Sequence, residues 1–463
     1  MCLQSSFDAD PDSGRLARWK QTEANGGGGG PSALSSAPAG CYDLPLMRPF
    51  SRSALLLRTY LLALIVLLTV VAPARSLAQP GQLLGYEPIA TWGPERLQAV
   101  VDRGLDLFLT GGTMAAGDFR AGFARARLGV KLFKVKYASI IPELQDRPVV
   151  AYGLVAIPTA APAGTPIVSY QHGTIFDRSW TPSNPEGSFE TQLMLAQFAS
   201  QGYVVVAADY FGTTQGSEVP NSYLLAQSTA QACLDLYRAA RTVLEREGVQ
   251  PGKLFINGWS QGGYSTLAFL RYLELAGIPV AAAGVAAGPA DQLLFAAEHL
   301  YNPKPFQASF AAAALANLMQ AVGHYHGQQE YFAQSIQPQY LQAARELFAF
   351  RIGYGEFVRA APGGIRELFR PEFFADGKAA LKPFWRILDQ ASAYRWRMRT
   401  PLRTFHSQRD EAIPIAAATV AVVYQNMIGN QEAQAFDAGP NADHRAVYLY
   451  SLVNLKPWFD GLR

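Results

Sequence analysis

Cysteine is nearly absent, with three residues in a chain of 463. Cys2 and Cys41 precede a hydrophobic N-terminal segment, so Cys233 stands alone in the rest and a disulfide framework is excluded there. Charge is also sparse. Asp, Glu, Lys and Arg make up 16% of the residues, against roughly 25% in soluble domains, so an apolar surface or pocket is expected beside the core. Neither sign dominates: 39 basic residues stand against 36 acidic ones. That leaves no basic footprint for phosphate contacts and excludes nucleic acid as a partner. What is plentiful is apolar material, 49% of the chain, with 12% aromatic residues, enough for one large domain carrying an insertion. Cys233 falls among Ala226, Ala230, Tyr237 and Ala240 at helical spacing and reads as a buried small apolar residue.

The first eighty residues read as processing sequence. Residues 1–46 include a run of glycines at 26–30 and no sustained hydrophobic period, as in a disordered or untranslated upstream segment. From Met47, Arg48, Arg52 and Arg58 lead into an apolar run at 61–71 and then Ser76-Leu77-Ala78. This is the three-part layout of a signal peptide over 47–78. It predicts translation from Met47, cleavage near Ala78 and export to the periplasm or beyond. The alternative, an N-terminal membrane anchor, needs roughly 20 apolar residues, more than the uncharged stretch after Arg58 offers.

After Gln79, short β-branched runs alternate with helical periods, which predicts an α/β fold: a mostly parallel central sheet flanked by helices. Leu97, Val100, Val101, Leu105 and Phe108 form a helical stripe, and 130–140 and 148–157 read as opening antiparallel strands. Strands follow at 166–171, 203–209, 253–257 and 280–287, with helices at 191–200, 223–247 and 262–276 between them. The alternation then stops. Residues 291–399 carry helical periods alone, rich in Phe, Tyr and Ala, and read as a helical lid inserted after the sixth strand. The core is thereby divided into 79–290 and 400–463, the second part holding strands at 402–407 and 433–437 and helices at 415–427 and 445–458.

Gly258-Trp259-Ser260-Gln261-Gly262 matches Gly-x-Ser-x-Gly, in which a nucleophilic serine sits on a strained strand-to-helix turn whose neighbours must be small. The motif alone is weak, but a strand enters it and an amphipathic helix leaves it. A serine hydroxyl needs a base to take its proton, and His444, in the loop after the last strand, is the expected one. His406 is read as structural, as are His299, His324 and His326 in the insertion, since a His-x-His pair points its rings apart and makes a poor metal site. No metal and no cofactor are expected. The imidazole needs a carboxylate, and Asp410 after strand 402–407 is chosen over Glu411, Asp437 and Asp443. Oxyanion donors are expected from the backbone N–H of Gln261, at a helix N-terminus, and of Thr174, in the loop after 166–171. His172 reads as an anchor of that loop and Asp209 as structural.

Tyr170-Gln171-His172-Gly173-Thr174, Asp209-Tyr210-Phe211-Gly212 and Gly258-Trp259-Ser260-Gln261-Gly262-Gly263 together resemble the secretory lipase family of α/β-hydrolases, over about 149–444. The resemblance implies the α/β-hydrolase fold and hydrolysis of carboxylic esters, acylglycerols among them, outside the cytoplasm. Scarce cysteine makes bacterial serine esterases and lipases a better comparison than disulfide-bearing fungal members. The expected substrate is a small-molecule or lipid ester, with transient contact with lipid surfaces. Two other functions use the same fold. A serine peptidase acting on short peptides would need a site for the peptide amine, and no propeller or acidic cluster in the sequence argues for one. A non-catalytic binding protein would lack the nucleophile or the base, and both are present.

Overall fold

Runs of small and β-branched residues with no polar alternation mark strands that are covered on both faces. The computed structural model, which describes residues 78–304, 310–361, 363–375 and 382–463, contains several such strands. β4 (Thr165–Gln171), β5 (Val204–Ala208) and β7 (Ala282–Ala286) are buried along their whole lengths. The segment expected upstream and the signal peptide lie outside the described residues, except for Ala78.

These strands sit in a nine-stranded sheet with β1 (Leu83–Trp92), β2 (Val130–Ile141), β3 (Arg147–Pro158), β6 (Pro251–Trp259), β8 (Leu402–His406) and β9 (Ala433–Asp437). Its order is β1-β2-β3-β5-β4-β6-β7-β8-β9. β1, β2, β3 and β5 pair antiparallel in turn, and from β5 across to β9 every pairing is parallel. Parallel neighbours need crossovers, and helices supply them. Ala226–Arg246 packs on β2, β3 and β5, Gln261–Leu275 on β4, β6 and β7, and His444–Leu462 on β7 and β8. The result is the mostly parallel sheet flanked by helices that the sequence predicts.

One strand is additional to the expectation. β1 precedes the pair read as the opening of the sheet, so the insertion follows the seventh strand and not the sixth. Pro88 lies inside β1, where it removes a ladder donor, and the register shifts between Pro88 and Ala90. Such an interruption is tolerated at the edge position that β1 occupies.

Between β7 and β8 the described residues are helical, apart from an isolated bridge between Ile336 and Phe369. The long helix Phe310–His326 runs through the insertion with residues 311–323 all buried, so it forms the insertion's own core. Asp291 ties the two ends of the insertion together. Its Oδ1 accepts from Leu294 N (2.9 Å) and caps the helix Gln292–Tyr301, while its Oδ2 accepts from Tyr394 Oη (2.9 Å) and pairs with Arg395 (3.3 Å). Ala393 N adds a bond to Ala290 O at 2.9 Å. A hundred-residue excursion thus has its two ends tied beside one residue, and these bonds offset part of the entropic cost of closing so long a segment.

Candidate active site

β6 ends at Trp259 and a helix begins at Gln261, which leaves Ser260 alone to turn the chain. It does so at φ 59°, ψ −123°, a region that residues with a Cβ rarely occupy and that persists only when the surroundings hold it. Ser260 N donates to Ala286 O and Gly263 N to Ser260 O, both at 2.9 Å. Close packing dictates the motif's glycines. A Cβ on Gly262 would lie 1.8 Å from Gln171 O, and one on Gly258 would lie 2.3 Å from Gly262 O. Ser260 is 3% exposed.

His444 opens the last helix and Asp410 lies in the turn after β8, so both reach the end of the sheet where Ser260 sits. His444 Nδ1 is 3.0 Å from Asp410 Oδ2. Asp410 Oδ1 accepts from Ala412 N (2.9 Å) and Ile413 N (2.8 Å), which fixes the carboxylate. A carboxylate only accepts, so the imidazole proton resides on Nδ1 and the lone pair on Nε2. Nε2 is buried and makes no hydrogen bond among the described residues, to Ser260 Oγ or any other atom. Burial alone would lower the imidazole pKa. The charge and hydrogen bond of Asp410, together with the charges of Glu411 and Asp443, outweigh burial, and the net shift is upward from 6.5. The indole of Trp259 backs the ring, with centroids 4.8 Å apart, and Trp259 Nε1 donates to His444 O at 3.1 Å.

Of the two expected oxyanion donors, one follows the serine directly and the other lies just past the end of β4, the strand paired with β6. Gln261 N begins the helix and Thr174 N follows the β4 turn, and neither N–H makes a hydrogen bond among the described residues. Thr174 Oγ1 is held 3.0 Å from Tyr223 Oη. His172 anchors this turn. Burial pushes its pKa down to about 4, and each ring nitrogen faces a carbonyl, Nδ1 the Gly173 O at 2.8 Å and Nε2 the Asp209 O at 3.2 Å. The ring also stacks on Tyr210, with centroids 4.2 Å apart.

The other titratable candidates have structural partners. Glu411 Oε2 accepts from His444 N (2.9 Å), so it touches the backbone of the histidine and not the ring. Asp443 caps the last helix through Ala446 N (2.9 Å) and also accepts from Thr113 N (2.8 Å). Asp437 accepts from Gly439 N at 2.8 Å, and His406 lies opposite it at the ends of β8 and β9. Asp209 accepts from Ser183 N (2.9 Å) and Oγ (2.6 Å) and from Thr214 Oγ1 (3.1 Å). His299 Nε2 donates to Ala412 O at 2.9 Å. His324 is exposed and stacks on Phe348, and His326 is exposed beyond it. Among the described residues no group of His, Cys, Asp and Glu converges on a metal position. Cys233 is buried.

Sequence reasoning did not find Glu190. This carboxylate, second in the helix Phe189–Gln197, accepts on Oε1 from Gly173 N (2.6 Å) and from the Tyr170 hydroxyl. Burial pushes its pKa up to about 7, against the hydrogen bonds and the nearby His444, which lower it. The available signal is one acid in a run that is otherwise uncharged, Phe189-Glu190-Thr191-Gln192-Leu193-Met194-Leu195-Ala196.

The arrangement supplies a strained serine, an imidazole oriented by a fixed carboxylate, and two uncommitted N–H groups beside them, the elements of acyl transfer. Residues 188–326, which span the turn at Ser260, match the prolyl oligopeptidase family. No curated protein matches the sequence. Among solved structures, the rice cell wall degrading esterase LipA from Xanthomonas oryzae is similar with a TM-score of 0.72 and 22% identity, over 83% of this chain and 100% of that one. Candida antarctica lipase A is similar with a TM-score of 0.60 and 17% identity, over 83% of each chain. Sheet order, the strand-to-helix turn at Ser260 and these likenesses agree: the chain has the α/β-hydrolase fold and resembles, in that fold, an esterase and a lipase.

Proposed function

We propose that the protein is an exported serine hydrolase that cleaves carboxylic esters, an esterase or lipase working through an acyl-enzyme. The observation that carries this reading is the placement of Ser260, at φ 59° on its turn, at the same end of the sheet as an imidazole tethered to Asp410 at 3.0 Å. In the reaction, His444 Nε2 takes the Ser260 hydroxyl proton while Oγ attacks the ester carbonyl. The resulting oxyanion accepts from the N–H groups of Gln261 and Thr174. His444 returns the proton to the departing alcohol. A water deprotonated by His444 then cleaves the acyl-enzyme, which releases the acid and restores Ser260. His444 carries a positive charge in both steps, and Asp410 offsets it.

In this reading the helical insertion, 291–399, is a lid. Its support is that Ser260 and His444 are 3% and 6% exposed, so substrate enters once the cover moves. Phe310 of the insertion lies 6.4 Å, ring to ring, from His444, beside Phe176 and Tyr354. Apolar side chains there suit a medium or long acyl group and transient contact with lipid surfaces. Export rests on the arginines before the apolar run at 61–71 and the small residues at 76–78.

The match to the prolyl oligopeptidase family favours a second reading, a serine peptidase acting on short peptides. Among the described residues the strands form one sheet, with no propeller to restrict entry to peptides. A panel of p-nitrophenyl esters of rising chain length, run beside peptide anilides, separates the two. Ester turnover with inert anilides supports the proposal, and anilide turnover without ester turnover replaces it with the peptidase.

A further inference from the structure

We infer that Glu190 is a positioning residue that clamps the turn after β4 and so aims the Thr174 N–H at the oxyanion. This rests on the ester-hydrolase reading above. An acid in the first turn of a helix ordinarily serves its own helix terminus. Here Ser188 already does so, since its hydroxyl accepts from Thr191 N at 3.3 Å. The Glu190 carboxylate instead reaches across to β4 and its turn, where Oε1 takes both Gly173 N and the Tyr170 hydroxyl.

The consequence follows from peptide planarity. The amide between His172 and Gly173 is one rigid plane, and the amide between Gly173 and Thr174 is the next. The first plane is held at both ends, its N–H by Glu190 (2.6 Å) and its C=O by the Tyr210 hydroxyl (3.2 Å). The second is held at its C=O by His172 Nδ1 (2.8 Å). With both planes fixed, the remaining group, the Thr174 N–H, has its direction set before substrate arrives, which is what electrostatic stabilisation of an oxyanion requires.

The turn also has little spare space beside the strand that leads to Ser260. A Cβ on Gly173 would sit 3.2 Å from both Glu190 Oε2 and Trp259 Cε3, and 3.4 Å from Trp259 O. The Tyr448 hydroxyl donates to Glu190 O (3.3 Å) and the Tyr448 ring stacks on Trp259 at 4.9 Å. Tyr448 lies one helical turn after His444, so the helix that carries the base also holds the backbone of Glu190. Either protonation state of Glu190 keeps an acceptor oxygen, so the clamp depends on that acceptor and not on charge.

The test compares E190A, E190D and E190Q, with kcat and KM measured on a p-nitrophenyl ester per active site titrated with a p-nitrophenyl phosphonate. E190A removes the acceptor and E190D draws it back. Both are expected to lose about ten- to a hundredfold in kcat, with KM within about threefold of wild type. E190Q keeps an acceptor at Oε1 and is expected to recover most of that loss. E190A retaining kcat within about threefold, or E190Q falling as far as E190A, overturns the inference. If E190A does not fold, the contrast of E190D with E190Q decides in the same way. Failure of the underlying reading looks different and shows in the wild-type protein, which would then turn over peptide anilides or fail to turn over the p-nitrophenyl ester.

Discussion

His444 Nδ1 lies 3.0 Å from Asp410 Oδ2, while the other oxygen of Asp410 takes the N–H groups of Ala412 and Ile413. The carboxylate is thus fixed by the turn that follows β8, and the imidazole takes its orientation from the carboxylate. Asp410→Asn would turn an acceptor into an amide whose NH2 cannot accept from Nδ1, so the ring is expected to lose its working tautomer. A loss of about 10³–10⁴ in kcat on a p-nitrophenyl ester is predicted, the scale of losing this partner in a serine triad.

The same pair sets a pH dependence. In the proposed reaction His444 works as a neutral base, and its net shift is upward from 6.5 despite burial. The acid limb of kcat/KM is therefore expected above pH 6.5, with activity falling as pH drops through it. Asp410→Asn removes the largest of the charges that oppose burial, leaving those of Glu411 and Asp443, so the limb of the residual activity moves to lower pH. A limb that stays in place on this substitution would contradict the assignment.

Gly262→Ala places a methyl carbon 1.8 Å from Gln171 O, a backbone atom that cannot swing aside. Overpacking of this kind costs about 1–3 kcal/mol where side chains can adjust, and more is expected against backbone. Urea denaturation should show the midpoint lowered, or the protein insoluble. Wild-type stability would mean that the turn is looser than described.

Asp443→Ala removes the cap on the helix that begins with His444, together with the bond from Thr113 N. A stability loss of about 1–2 kcal/mol is expected from the same denaturation series.

Much of this was legible in the sequence because local signals agreed with the fold. The helix Ile415–Met427 and the strand Ala433–Asp437 have the expected bounds, each set by an apolar period between polar turns. β1 escaped because Pro88 and Gly85 interrupt a strand whose pairing comes from β2, a non-local partner. The site divides in the same way. Ser260 is announced by the glycines its turn requires, and His444 and Asp410 by their places after strands. Glu190 carries no such mark, since its role comes from contacts with Tyr170 and Gly173 on another element. The sequence already favours Asp410 over Glu411, and the coordinates add a physical reason, the Glu411 carboxylate being on the His444 backbone N–H.

The role of Ser260 as nucleophile is tested most directly by p-nitrophenyl ester turnover of Ser260→Ala beside wild type, with folding of both checked by circular dichroism. A fall in kcat of about a million-fold is expected in a folded protein. Ester turnover near the wild-type rate in the folded variant would contradict it.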